Sequence, residues 1–388
     1  MRRRITTGLE KLLSQGSEAV EGRPIALLTN HTGVDRNMRH IVDLLASDDR
    51  FDLVALLAPE HGIRGEVQAG EKVSSYVDPR TGIPVYSLYG ESYEPEDQLL
   101  RDIDAIVVDL QDVGVRYATY TSTLLRVMTK ASLFDVDVII LDRPNPLSPK
   151  GIQGPLLQKE YTSFVGFHNV PVLHGMTLGE AACLLAHELG LREPIVIKME
   201  GWERNLWYDD TDLVWVQPSP NLPTMDSLLL YPGTCLIEGT NISEGRGTTR
   251  PFEYIGAPWI DPYALLETLK IFEFPGVLFR ATYFTPMFSK HSGRSCGGVQ
   301  VHILDRYALR QVELGAYLLR AFYLQDEGKF EWIQNSEGKF FVDLLIGSDK
   351  LRKAVTSNTN SEFLDLVTVW REDALSFIDR FREVQLYQ

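Results

Sequence analysis

Cysteine is scarce in this chain. Three occur, Cys183, Cys235 and Cys296, far apart and odd in number, which excludes a disulfide framework and a paired-cysteine metal knuckle and leaves three free thiols. Long apolar runs are missing too: no stretch approaches the ~20 residues of a membrane span. The basic start "MRRR" is followed by "ITTGLEKLLSQG", too broken for a signal-peptide core. A cytoplasmic protein is expected, unless a leader has been removed. Positive charge is in deficit, with 38 Lys+Arg against 53 Asp+Glu and a net charge of −15. That balance argues against nucleic-acid or anionic-membrane partners, since both reward clustered positive charge. Glycine-rich phosphate loops, the HExxH zinc motif and a GxSxG nucleophile elbow are absent as well. No cofactor and no metal are called for. "HEL" at 187–189 reads as an exposed helix surface.

What is present is a rhythm. The runs 24–30, 53–60, 84–90, 105–112, 136–144 and 194–200 are continuous and β-rich, and helix-compatible stretches such as "TYTSTLLRVMTKAS" lie between most of them. Runs apolar on both faces suit a parallel sheet covered by helices. Thr177 and Glu180 are spaced as a capping box for a helix over 177–190. From about residue 200 the texture changes, and "QPSPNLPT" (217–224) excludes helix interior and central strand. The expected class is α/β: a Rossmann-like parallel-sheet domain over 1–230, then a smaller α+β domain over 231–388. In the second, helices are expected over 262–272, 310–325 and 361–384, and strands near 277–286 and 297–305.

Each early run ends in reactive or hydrogen-bonding residues: Asn30 and His31, Glu60 and His61, Asp109, Gln111 and Asp112, then Asp142, Arg143 and Asn145. In open parallel sheets ligands bind outside the carboxyl ends of the strands, so four polar loops at one edge point to a site. Paired carboxyls are the usual machinery of glycoside hydrolysis, one protonating the leaving group and the other acting as base or nucleophile. Glu60, Glu244, Asp109 and Asp112 are the candidates. Alternatives stand beside each: Asp109 and Asp112 could cap the following helix, Glu244 could form a surface ion pair with Arg246, and Asp109, Asp112 and His61 could hold a metal. Arg64, Arg116, Arg246 and Arg250 flank the acids and suit a substrate carboxylate.

The segments "LLTNHTGVD", "APEHGIRGEVQAGEKV", "VVDLQDVGVRYATYTSTL", "LDRPNPL", "QPSPNLPT" and "YPGTCLIEGTNISEGRGTTRPFEYIGAPWID" resemble the exo-β-N-acetylmuramidases of NamZ type, from about residue 8 to the C-terminus. The resemblance implies release of N-acetylmuramic acid from the non-reducing end of peptidoglycan-derived saccharides, in a cleft between two domains. Within that frame Glu60 is the first choice of general acid, because partial desolvation beside His61 would favour its protonated form. Glu244 is the second carboxyl, with Asp109 and Asp112 in reserve. Asn30, His61, Gln111, Tyr117, His174, Asn241 and Thr248, with the four arginines, are the expected substrate contacts. The competing readings are a non-catalytic amino-sugar or muropeptide binder and a metal-dependent phosphoesterase. Oligomeric state is left open.

Overall fold

A computed structural model describes residues 2–388. Its larger sheet contains strands β1 (Pro24–Thr29), β2 (Asp52–Ala58), β3 (Tyr76–Val77), β4 (Pro84–Ser87), β5 (Ala105–Asp109), β6 (Asp137–Leu141) and β9 (Ile195–Ile197), in the order β3-β4-β2-β1-β5-β6-β9. All neighbours pair in parallel except the β3–β4 edge. The residues account for the arrangement. Ala26 and Leu28 with Ile106 and Val108 pack into one apolar layer, while Ile25, Leu27 and Val107 pack into the layer on the other face. Both faces are covered, so neither residue parity can be polar.

The chain builds outward from β1 through β2 and β4, then returns to β5 and continues through β6 and β9. The direction of winding reverses between β1 and β5, where the two following loops diverge and leave a crevice. Helix Thr119–Leu133 covers one face, and helix Leu178–Leu189 opens with the expected Thr177–Glu180 capping box.

The second part is built on an antiparallel sheet of β10 (Tyr254–Ala257), β12 (Cys296–Ile303) and β11 (Val277–Phe284), in that order. Helices Met225–Thr234 and Gln311–Gln325 cross so closely that a Cβ on Gly233 would sit 2.0 Å from the Gln311 carbonyl oxygen. The first of these helices carries Pro232 in an apolar run and was not expected from sequence. Thr224 caps it in reciprocal hydrogen bonds with Ser227.

The two parts interlock. A hairpin of β7 (Gln153–Leu156) and β8 (Pro171–Leu173) from the first packs against helix Asn360–Ser376 of the second. The continuous helix expected over 361–384 is broken at fully buried Phe377, and the remainder, Ile378–Val384, returns to helix Leu178–Leu189. Tyr387 then donates from its hydroxyl to Asp142 at 2.7 Å and stands edge-on to Trp202. No helix is long and apolar enough to cross a membrane among the described residues.

Candidate active site

Strand β2 ends at Ala58, and the chain turns sharply through Glu60, His61 and Gly62. His61 has φ 75° and Gly62 φ 78°. A left-handed conformation in a non-glycine residue costs of order 1–3 kcal/mol, so the surroundings must hold it. They do: His61 is 3% exposed and its Nδ1 bonds the Val67 carbonyl at 2.9 Å. A carbonyl only accepts, so Nδ1 carries the hydrogen. Burial pushes the His61 pKa down, with nearby Arg246 acting the same way against Glu60, so the ring is neutral and Nε2 is an acceptor.

Glu60 is half-buried at the mouth of this turn. Its Oε1 accepts from the Gly70 N–H at 2.8 Å and its Oε2 from the Thr119 hydroxyl at 2.6 Å. Burial, followed by the charge of nearby Glu60, pushes the pKa of the Tyr89 phenol up. Tyr120, next to Thr119 in the same helix, donates to the Pro218 carbonyl and accepts from Asn30 Nδ2 at 2.7 Å. His31 Nε2 bonds the Gln217 carbonyl at 2.6 Å. The proline-rich segment therefore crosses over the ends of β1 and β2 and is tied down by two side chains.

The opposite wall comes from the second part. Arg246 places its Nη2 2.7 Å from Glu238 and its Nε 3.3 Å from Glu244, with its guanidinium carbon 5.2 Å from the Phe252 ring centre. Glu244, 2% exposed, is also 3.0 Å from Lys290, whose ammonium donates to the carbonyls of Ile237, Glu238 and Ile242. Burial acts to lower the Arg246 pKa, but attraction to Glu238 and then Glu244 outweighs it and raises the value. Glu60, His61, Tyr120, Tyr231, Arg246 and Phe252 line one cleft of about 80 Å³. Glu60 is its one carboxyl among the described residues.

Two buried acids remain out of reach. Asp109 is gripped by Arg143 Nε at 2.5 Å and Nη2 at 2.8 Å. Asp112 accepts from the Gly114 N–H at 2.7 Å and the Thr121 hydroxyl at 3.4 Å, and burial pushes its pKa up to about 6. Neither caps the following helix, whose N-cap is Ala118 without a side-chain bond, so the capping reading is corrected. The Glu244–Arg246 pair exists, but inside rather than at the surface. No group of three or more metal-ligating side chains occurs among the described residues. His187 is exposed in its helix as expected.

The other expected contacts scatter. Asn30 and Gln111 spend their amides on Tyr120, Thr32 and the carbonyls of Asp112 and Pro144. Tyr117 is the exception: it lines the cleft, and its hydroxyl donates to the Pro232 carbonyl. Arg64 is held by Asp43 and Asp78, and Arg250 by Glu253, both away from the cleft lining. Arg116 is fully buried and donates to the carbonyls of Pro155, Val170 and Leu345; desolvation lowers its pKa to about 9. That arginine joins the two parts of the chain. His174, also fully buried, has its pKa lowered to about 3 by burial and then by Arg116. Asn241 bonds the backbone of Lys329 and Glu331, and Thr248 the carbonyl of Gly245.

Models of the N-terminal and C-terminal domains of the exo-β-N-acetylmuramidase NamZ match residues 25–226 and 229–387. The chain belongs to the NamZ family. It is 44% identical over 360 residues to the peptidoglycan β-N-acetylmuramidase NamZ of Bacillus subtilis (strain 168), covering 92% of this chain and 86% of that protein. Two solved structures of DUF1343 family proteins from Bacteroides fragilis share its fold. One has a TM-score of 0.90 at 34% identity over 100% of both chains, and the other 0.76 at 29% over 99% of both.

Thr119, Glu238 and Lys290 were not among the expected site residues of this NamZ-family chain. Thr119 had a sequence signal, since it opens the helix after a polar strand end. Glu238 and Lys290 had none, because only the packing of 235–246 against 286–293 brings them to Arg246. A larger cavity, about 840 Å³, lies elsewhere and shares no lining residue with the Glu60 cleft. The single carboxylate that lines it, Glu313, is tied to Arg371.

Proposed function

We propose that this chain is an exo-acting glycoside hydrolase that releases N-acetylmuramic acid from the non-reducing end of peptidoglycan-derived saccharides, with Glu60 as its acid–base group. The observation that carries the reading is the pairing, in one cleft, of a carboxyl and a guanidinium from opposite sides. Glu60 supplies the proton for the leaving oxygen. Arg246 supplies a planar cation for the lactyl carboxylate that distinguishes muramic acid from glucosamine. Thr119 orients Glu60. Glu244 acts through Arg246, fixing the guanidinium plane from behind. The domain division near residue 230 belongs to the same proposal, with the cleft between the two parts. So does a cytoplasmic setting, which the three unpaired cysteines suit.

A cleft of about 80 Å³ is small beside the ~300 Å³ or more of ordinary ligand sites, so admitting a sugar requires it to widen. The test is hydrolysis of a chromogenic β-N-acetylmuraminide by the purified protein, with and without exhaustive EDTA treatment. Equal turnover in both is expected. Binding without turnover would favour the non-catalytic reading, and strict dependence on a divalent ion the phosphoesterase-like one.

A second reading concerns the group that attacks carbon 1. Because Glu60 is the one carboxyl lining the cleft among the described residues, the substrate's own 2-acetamido oxygen is the nearest available nucleophile, as in substrate-assisted glycosidases. A thiazoline analogue that inhibits far better than the free sugar would support it. Retained turnover on a 2-deoxy substrate would refute it.

A further inference from the structure

The 840 Å³ cavity lies on a different part of the surface, where the β7 hairpin, the start of helix Gln311–Gln325 and the C-terminal helices meet. Its charge runs against that of the molecule. Lys150, Arg204, Arg310, Arg371 and Arg382 line it, against one carboxylate, Glu313, in a chain of net charge −15. Arg204 and Arg382 have their own partners in Glu180 and Asp379. Arg310 and Arg371 must share Glu313, and the Lys150 ammonium bonds only the Tyr307 carbonyl, at 2.8 Å. Asp305 lies near Lys150, but its carboxylate accepts from the Tyr307 and Ala308 N–H groups. Three cations therefore line the cavity with one lining carboxylate, Glu313, between two of them, and Asp305 beside Lys150 lies outside the lining.

Two further features belong to a ligand site rather than to a solvated charge cluster. The walls are apolar in part: Tyr307 and Leu375 are each 66% exposed, beside Trp370. About 840 Å³ is ample for a ligand of several residues.

We infer that this groove binds a short acidic peptide, its carboxylates on Lys150, Arg310 and Arg371 and its apolar side chains against Tyr307 and Leu375. The inference rests on the proposed function in one respect only: the stem peptide joined to the lactyl group of muropeptides is a ligand of this chemistry. Binding of a stem still joined to its saccharide would hold wall fragments on the enzyme away from the cleft.

The probe is the tetrapeptide L-Ala-γ-D-Glu-L-Lys-D-Ala with its N-terminus and lysine amine both acetylated, so that it carries two carboxylates and no ammonium, titrated calorimetrically into the full-length protein, with its carboxyl-amidated form as control. Lys150→Gln and Arg371→Gln should each weaken binding of the acid by about tenfold or more, the loss of one charge-assisted hydrogen bond. Raising salt from about 0.05 to 0.5 M should weaken it as well. No heat at millimolar peptide, or equal binding of the amidated form, would overturn the inference. So would a concentration-dependent dimer in sedimentation that Lys150→Gln abolishes, since a second copy would then occupy the groove. Both variants lie outside the Glu60 cleft and should keep wild-type turnover of the muraminide. An unaltered protein that binds the peptide yet turns over nothing would fail the hydrolase reading alone.

Discussion

Replacing Arg246 tests the substrate assignment most directly. The guanidinium reaches the cleft while Nη2 and Nε are held by Glu238 and Glu244, so its plane is fixed before a ligand arrives. A bidentate bond to a lactyl carboxylate is worth about 1.5–3 kcal/mol, or roughly 10- to 150-fold in kcat/KM. Arg246→Lys keeps the charge and loses the fork. It should therefore lower kcat/KM for β-N-acetylmuraminide while leaving β-N-acetylglucosaminide, which lacks the lactyl group, nearly unchanged. Arg246→Ala adds a structural cost, because it strips Glu238 of its ion pair and leaves buried Glu244 with Lys290 alone. Breaking a buried pair costs about 3–5 kcal/mol, and the 17% exposure of Arg246 puts this case toward the lower end. Any loss of folded protein affects both substrates equally, so the ratio of the two kcat/KM values isolates recognition. If Arg246→Lys folds normally and keeps that ratio within about twofold, the lactyl carboxylate is read by another group and Arg246 loses its assigned role.

Three other substitutions probe separate groups. Glu60→Gln should lower kcat by at least ~10²-fold with the thermal midpoint intact, and near-normal turnover would remove Glu60 from the chemistry. Asp112, its pKa pushed up to about 6 by burial, binds a proton in the folded state that the unfolded chain has already released. Stability should therefore be full below the usual carboxylate pKa near 4 and fall as pH rises to about 6, by on the order of 3 kcal/mol. Asp112→Asn should flatten that segment of a denaturation-versus-pH curve, and an unchanged slope would refute the assignment. Tyr387→Phe deprives buried Asp142 and the Met199 N–H of their shared hydroxyl, which should cost about 1–3 kcal/mol in chemical denaturation.

The sequence alone determined the architecture of the parallel sheet. Leu27 and Leu28 are both apolar because β1 is covered on both faces, and local composition records burial on two sides as plainly as alternation records burial on one. It also determined the loop holding Glu60, since a polar cluster directly after a buried strand falls at the sheet edge where ligands bind. What it could not determine was which acids are free. Asp109 and Glu60 look alike in sequence, each at a strand end near an arginine, yet Asp109 meets Arg143 across 34 residues while Glu60 meets only hydroxyl and N–H donors. Arg116 and Arg246 likewise look alike, but one is spent on three carbonyls and the other faces a cleft. Partners such as Lys290, 46 residues from Glu244, are chosen by the packing of distant segments. The charge an ionisable group presents depends on those neighbours and on desolvation, and both are properties of the tertiary structure.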